Sequence, residues 1–145
     1  MSEPLSEPGP LNQVAQDLGI SRTSWGGGKA SYALTVTKSH CNKGGVAFGG
    51  IHTVLLDMAL GGSLVSTLTK SQWCATTSLT TSFISPAYVD ETITAYGEVV
   101  KRGRNVAHLK GEIRTQSGRV VATATGTWAI WELSLIHISE PTRPY

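Results

Sequence analysis

The second half of the chain shows four runs in which apolar and polar residues alternate, and this period of two predicts β-strands. Short segments with proline, glycine or aspartate separate the runs, so neighbouring strands are expected to pair antiparallel. An earlier alternating run, residues 30–40, predicts one further strand. The four later runs cover about residues 75–85, 92–102, 105–115 and 119–131.

A long apolar stretch between the first strand and the later four predicts the main helix. It runs from His52 to about Lys70, and a shorter helix is predicted over residues 11–19. The glycine-rich segments 24–29 and 41–50 are predicted to form a turn and a loop. One long helix packed on an antiparallel sheet predicts an α+β fold.

Composition narrows the class of protein. A chain of 145 residues suits one domain, and its net charge of +2 is far from the basic excess of a nucleic-acid binder. No apolar run approaches the roughly 20 residues of a membrane span. The low charged fraction, 15%, suggests a surface partly buried in an oligomer. Cys41 and Cys74 have neither metal-ligand nor redox spacing, which predicts a reduced, cytoplasmic setting.

The two ends of the chain differ from its middle. Residues 1–17 begin with an acidic, proline-rich stretch and are predicted to be a disordered or weakly ordered lead-in. Residues 18–132 form the predicted domain. The sequence from 133 to 143, LSLIHISEPTR, matches translated transposon adapter DNA, so residues 133–145 are interpreted as a non-native tail and are left out of the fold prediction.

Asp57 is the one carboxylate in the predicted main helix. A helical wheel places it in an apolar arc with Val54 and Met58, and places His52 and Ser63 on the polar, solvent-facing side. An ionised carboxylate in an apolar site lowers stability unless it is paired or solvated, and no lysine or arginine lies three or four residues away. Asp57 therefore has a partner elsewhere or faces a cleft. A structural aspartate that caps a loop or bonds across a subunit interface is the alternative.

The glycine-rich segment GGVAFGG ends where the main helix is predicted to begin. Backbone N–H groups would converge at Gly49 and Gly50, and a helix N-terminus of this kind can bind an oxyanion. The segment is not a phosphate loop, because the lysine and Ser/Thr that would follow its last glycine are absent. A carboxylate two turns further along supplies the second part of an acyl-transfer site.

The spacing of these residues resembles that of hotdog-fold acyl-CoA thioesterases. Three later segments, TTSLTTSFISPA, KRGRNVAHLKGEI and SGRVVATATGTW, resemble the phenylacetic-acid-degradation (PaaI) type, and the resemblance covers about residues 18–131. The PaaI type usually has His-Gly-Gly where this chain has Phe-Gly-Gly, as some short-chain acyl-CoA thioesterases do, so the substrate class stays open. The pattern N-x-x-G-x-x-[HF]-G-G with its later Asp is carried by Asn42, Gly45, Phe48, Gly49, Gly50 and Asp57.

The resemblance implies a sheet wrapped around one central helix, two protomers joined edge to edge, and active sites at the dimer interface, often within tetramers. Asp57 would act as general base or as nucleophile. The Gly49 N–H would hold the thioester oxygen, and Gly50 would keep the backbone close to substrate. Asn42 would position water or the carbonyl; its alternative is an Asx turn in the loop.

The resemblance also implies a set of substrate contacts. Phe48 would lie beside the thioester. Gly61 would leave room for the acyl group, and close packing of the helix on the sheet is its alternative or additional role. Thr76, with Thr77 as its neighbour, would reach the acid and substrate from the partner chain; an ordinary strand threonine is the alternative. Arg102 and Arg104 would attract the phosphates of coenzyme A, or would belong to a solvated turn. The implied substrate-binding set is Phe48, Gly50, Gly61, Thr76, Thr77, Arg102 and Arg104.

The sequence thus predicts an acyl-CoA thioesterase that needs neither metal nor cofactor and acts on aryl-acetyl or short- to medium-chain acyl groups. A hotdog dehydratase is disfavoured, because its catalytic histidine has no counterpart at Phe48. The alternative from another class is a hotdog domain that binds acyl-CoA as a sensor without chemistry. The expected partners are the acyl-CoA substrate and further copies of the chain, as a dimer or homotetramer, with no nucleic acid and no membrane.

Overall fold

A computed structural model describes residues 2–133. The predicted non-native tail lies outside these residues except for Leu133. Six strands form one antiparallel sheet in the order β1-β2-β4-β5-β6-β3, with β1 and β3 at its two edges. The elements are α1 (Gln13–Leu18), β1 (Ser21–Gly26), β2 (Lys29–Thr35), α2 (Gly49–Val65), β3 (Gln72–Phe83), β4 (Thr92–Arg102), β5 (Val106–Thr115) and β6 (Val120–Glu132).

The predicted α+β architecture is confirmed, since one long helix packs on an antiparallel sheet as the hotdog resemblance implied. The helix begins at Gly49 and ends at Val65, earlier than predicted at both ends. Its C-terminal end has a local cause. The hydroxyls of Ser66 and Thr67 each donate to a backbone carbonyl three residues back, at 2.7 Å, and so compete with further helical hydrogen bonds.

Strand β1 is absent from the sequence-based prediction. Its residues are mostly polar and exposed, so no alternation marks it. It forms as the outer arm of a hairpin whose turn, Gly26–Gly28, has positive φ at every residue. The predicted strand over residues 30–40 also ends early, at Thr35, and Lys38–His40 forms a turn of 3₁₀-helix instead.

The core lies between α2 and the concave face of the sheet. Leu55, Leu56, Leu60 and Leu64 are 0% exposed, and burial of each contributes roughly 1.5–3 kcal/mol. Two residues assigned to the solvent-facing side of the helix are also buried: His52 is 3% exposed and Ser63 0%. That assignment was wrong. Helix α2 is apolar around most of its circumference, so the wheel does not identify the face that meets the sheet.

The predicted lead-in contacts the segment that connects α2 to β3. Leu5 N donates to Leu68 O at 3.0 Å, and Lys70 N donates to Glu3 O at 2.8 Å. Leu5 and Leu11 pack against the core. The segment for which the sequence predicted little order therefore has defined contacts over part of its length. No helix among residues 2–133 is long and apolar enough to cross a membrane.

Gly97 of β4 approaches the backbone of α2 closely. A Cβ atom on Gly97 would lie 2.2 Å from the Ala59 carbonyl oxygen and 2.8 Å from the Leu60 nitrogen. Both neighbours are backbone atoms, which a rotamer change cannot move. The helix can therefore settle on β4 only where the strand has no side chain.

Gly97→Ala is expected to destabilise the fold by about 3 kcal/mol or more, because overpacking against backbone forces α2 off the sheet. Gly61→Ala is the matched control. Its Cβ would lie 3.5 Å from Trp128 Nε1, an ordinary contact, and alanine is favoured over glycine in a helix by about 1 kcal/mol. Denaturant unfolding of both variants tests this; equal stabilities would contradict it.

Candidate active site

Asp57 lies on the flank of α2 that faces strand β3. The Thr76 hydroxyl donates a hydrogen bond of 2.8 Å to Asp57 Oδ1. Burial raises the pKa of Asp57, and the hydrogen bond from Thr76 opposes that rise. Among the described residues no lysine, arginine or histidine forms an ion pair with Asp57. It is therefore a half-buried carboxylate with one neutral partner, a stronger base than an exposed aspartate.

Thr76 belongs to the same chain as the aspartate that it contacts. The resemblance implied that it would come from the partner chain, and that expectation was wrong because β3 runs beside α2 within one protomer. A register shift against β6 lies between Thr76 and Ser78. Such bulges re-aim side chains. Thr77 is exposed and bonds instead to Thr127, at 3.0 Å to its carbonyl and 2.9 Å to its hydroxyl, so the structure does not bring Thr77 to Asp57.

A cleft of about 240 Å³ opens beside Asp57, and we call it the carboxylate cleft. Gly61 lines it as expected, and a Cβ there would sit 3.5 Å from Trp128 Nε1. Arg22, which the sequence did not single out because β1 was missed, also lines it and donates to Tyr32 Oη at 3.3 Å. The apolar part of the lining consists of Pro10, Leu11, Met58, Gly61, Gly62, Val65, Trp73, Cys74 and Trp128.

Cys74 is a second ionisable group in the carboxylate cleft. Burial, with a further contribution from the charge of Asp57, raises the pKa of its thiol to about 12. Arg102 acts in the opposite direction. The thiol is therefore neutral near pH 7 and is not a nucleophile. Of these two ionisable groups, Asp57 is therefore the candidate for the base or nucleophile that the sequence predicts.

The glycine-rich loop delivers Gly49 to the start of α2. Phe48 is the N-cap, with φ −60° and ψ 138°, and makes no side-chain cap. No acceptor for the N–H groups of Gly49 and Gly50 is found among the described residues. Asn42 Oδ1 accepts from Gly44 N at 2.9 Å, the Asx-turn alternative. Its oxygen thus shapes the loop that presents Gly49.

Phe48 and Gly50 are packed together. The Phe48 ring lies over Gly50, where a Cβ would come within 2.6 Å of Phe48 Cε2. Phe48 is nevertheless 59% exposed. A large apolar side chain beside free backbone donors is a surface that a bound molecule would cover.

Gly49 faces a second cleft, the helix-start cleft, with a volume of about 340 Å³. Eight residues separate Gly49 from Asp57 along α2, a rise of about 12 Å. Neither residue lines the cleft of the other. One protomer therefore presents the Asp57 carboxylate and the Gly49 N–H to two separate clefts. The helix-start cleft is lined by Val46, Ala47, Gly49, His52, Phe83, Ile84, Ser85 and Pro86.

The two arginines expected to attract phosphate have different surroundings. Arg102 donates to Thr67 Oγ1 at 3.2 Å, to Gln72 Oε1 at 2.9 Å and to Gly103 O at 3.0 Å. These bonds tie the end of β4 to the segment after α2 and to the start of β3, so the donors of Arg102 are largely engaged. Arg104 is exposed in the turn that follows. Of the two, only Arg104 is available to an incoming phosphate. No group of three or more potential metal-ligating side chains occurs within residues 2–133.

Comparison with known proteins agrees with this geometry. The family model described as the thioesterase superfamily matches residues 44–122. An esterase-named protein of Pseudomonas aeruginosa is 30% identical over 96 residues, which cover 66% of this chain and 71% of that protein.

Two solved structures share the fold. The E. coli PaaI protein from the phenylacetic acid degradation operon has a TM-score of 0.76 at 26% identity, covering 81% of this chain and 83% of that one. A thioesterase-named protein of Streptococcus pneumoniae, solved with coenzyme A, has a TM-score of 0.71 at 25% identity, covering 78% and 89%.

The six-stranded sheet around one helix, with these matches, defines a PaaI-type hotdog thioesterase, a thioester hydrolase. The chain belongs to the thioesterase superfamily. The sensor alternative is therefore not retained.

Asp57→Asn is expected to stabilise the protein at neutral pH. Because burial raises the pKa of Asp57 above the ordinary value of 3.8, the folded state binds the proton more tightly than the unfolded chain does. As pH rises above about 3.8, the carboxylate ionises first in the unfolded chain, so the free energy of unfolding falls. Below about pH 3.8 the group is protonated in both states, and this penalty disappears. The asparagine oxygen can still accept from Thr76. Unfolding of both proteins across pH measures the difference; a variant less stable at pH 7 would contradict it.

Proposed function

We propose that the protein hydrolyses acyl-CoA thioesters to a free acid and coenzyme A. The observation that carries the proposal is the Thr76-bonded Asp57 carboxylate at the side of an otherwise largely apolar cleft. The coenzyme A bound to the Streptococcus pneumoniae relative supports the choice of thioester. The carboxylate cleft is compact and walled by Trp73 and Trp128, which favours aryl-acetyl and short- to medium-chain acyl groups.

Two routes use the same groups. In the first, Asp57 takes a proton from a water whose oxygen attacks the thioester carbon. In the second, Asp57 attacks that carbon itself, and water then opens the anhydride. In both, negative charge develops on the thioester oxygen at a Gly49 N–H, the C–S bond breaks, and the coenzyme A thiolate leaves and takes a proton. Neither route requires a metal or a cofactor.

The active site is proposed to combine two chains. The rise of about 12 Å between Gly49 and Asp57 is too long for both to contact one thioester group. Edge strand β3 carries Thr76 and has no neighbouring strand on one side in the part of the chain that the structure describes. Joining two such edges would bring Asp57 and Thr76 of one copy towards Gly49 of the other. We infer a homodimer, further paired into a homotetramer, in the cytoplasm, where the unpaired Cys41 and Cys74 stay reduced.

Thiol release from phenylacetyl-, butyryl-, hexanoyl- and palmitoyl-CoA tests the activity. Asp57→Asn is expected to lower kcat by at least about 10²-fold, the size of a general-base contribution. Asp17→Asn is the matched control, because Asp17 is exposed and bonds only to Gln13 among the described residues. Equal turnover by all three proteins would mean that another group performs the chemistry.

A mixed dimer tests the shared site. Gly49→Pro removes one N–H, and proline suits this first helical position because Phe48 already has an extended ψ. Alone, Gly49→Pro and Asp57→Asn should each be inactive, whereas a heterodimer of the two, isolated by two different tags, keeps one intact site and about half the activity. Gly49→Ala, which retains the N–H, should stay active. An inactive heterodimer would place both residues in a site within one chain.

A further inference from the structure

His52 is a buried polar residue that the proposed chemistry leaves unused. Its side chain is 3% exposed, and its Nδ1 has no hydrogen-bond partner within residues 2–133. No partner for Nε2 is found among the described residues either, and this second nitrogen is not closed off from the surface as Nδ1 is. Burial lowers the pKa of His52, so the ring is neutral near pH 7. One N–H of a neutral ring is therefore available as a donor.

The other buried histidine shows how a structural imidazole is satisfied in this fold. His40 is 7% exposed. Its Nδ1 accepts from Thr37 N at 2.9 Å, which puts the ring proton on Nε2, and Nε2 donates to Leu18 O at 2.8 Å. His52 has no such pair of bonds among the described residues, although it is buried beside the Phe83 ring, where an apolar side chain would also pack. An unpaired buried polar group opposes folding. Stability alone therefore gives no reason for an imidazole at this position.

The ring of His52 lies beside the start of α2. Helical side chains lean toward the N-terminus, so a residue at the fourth helical position covers the first turn. The Phe83 ring links the two sites: its centroid is 5.9 Å from that of His52, and its Cε1 would be 3.4 Å from a Cβ on Gly49. His52 and Gly49 line the same cleft. A free backbone donor and an unpartnered ring thus converge on one place.

We propose that His52 is a second oxyanion donor, acting with the Gly49 N–H on the thioester carbonyl oxygen. This role rests on the proposed acyl-CoA hydrolysis and adds a catalytic residue to it. As the thioester carbon becomes tetrahedral, the carbonyl oxygen gains negative charge. It accepts a hydrogen bond from His52 Nε2–H, the ring nitrogen that is not closed off from the surface. The proton stays on the ring throughout. A neutral imidazole suits this buried position, because it can donate a hydrogen bond to the oxygen without placing a cation in the protein interior.

His52→Leu separates this role from a structural one. The variant is expected to unfold at no lower denaturant concentration than the parent, while kcat falls about 10²-fold, the usual effect of removing one such donor, and KM changes little. His52→Gln, whose amide can still donate, should retain part of the lost rate. His40→Leu, the control, should lose stability because Thr37 N and Leu18 O are left unpaired.

The carbonyl itself supplies a second measurement. Phenylacetyl-CoA labelled with ¹³C at the thioester carbon, bound to Asp57→Asn, should show a carbonyl stretch that moves to higher frequency when His52→Leu is added. An unchanged band, with kcat of the single variant within about 2-fold of the parent, would overturn the role of His52. A parent protein without turnover on any acyl-CoA would instead overturn the proposed function and the role of His52 with it.

Discussion

The contact between the backbone of α2 and Gly97 of β4 is the constraint on which the rest of the structure depends. At this distance the leucine face of α2 packs against the sheet. One flank of the helix and its N-terminal turn are left at the edges of the contact. One flank carries Asp57 beside β3, and the N-terminal turn carries Gly49 and His52 beside Phe83. If α2 stood further from the sheet, Thr76 would no longer reach Asp57, and Phe83 would no longer cover the first turn. The geometry of the candidate site therefore depends on how closely α2 packs against the sheet.

Most of the strands and the main helix could be predicted from the sequence, but the face of α2 that packs on the sheet could not. Alternation and turn residues identified β4, β5 and β6 almost to the residue, because strands with one buried face carry a period of two. Strand β1 was not predicted, because a polar edge strand shows no such alternation of apolar and polar residues. The buried face of α2 was assigned to the wrong side because apolar residues surround the helix. Asp57 was still found, since a carboxylate in an apolar segment is conspicuous whichever way the helix is rotated.

The residues that the sequence could not place depend on contacts between distant segments. Thr76 was recognised from the family pattern, yet only a bulge in β3 shows why it turns to Asp57 and why Thr77 does not. Arg102 looked like a free cation in a turn, and its bonds to Thr67 and Gln72 arise only when the ends of α2 and β4 meet. His52 looked solvated, and its burial follows from the orientation of α2. Pairings of this kind have no local signature in the chain.

Asp57 and His52 share a thermodynamic property that fits the proposed arrangement, in which one helix would serve two half-sites. Each is a polar group that burial disfavours in its charged form, and each has fewer partners than it can bond. The leucines between them supply the stability that such groups oppose. Placing both on one rigid helix fixes their spacing, and the two-fold axis of the proposed homodimer would repeat the pair, so that two complete sites would form from one sequence. A single chain would need a second rigid element to bring the same two groups together.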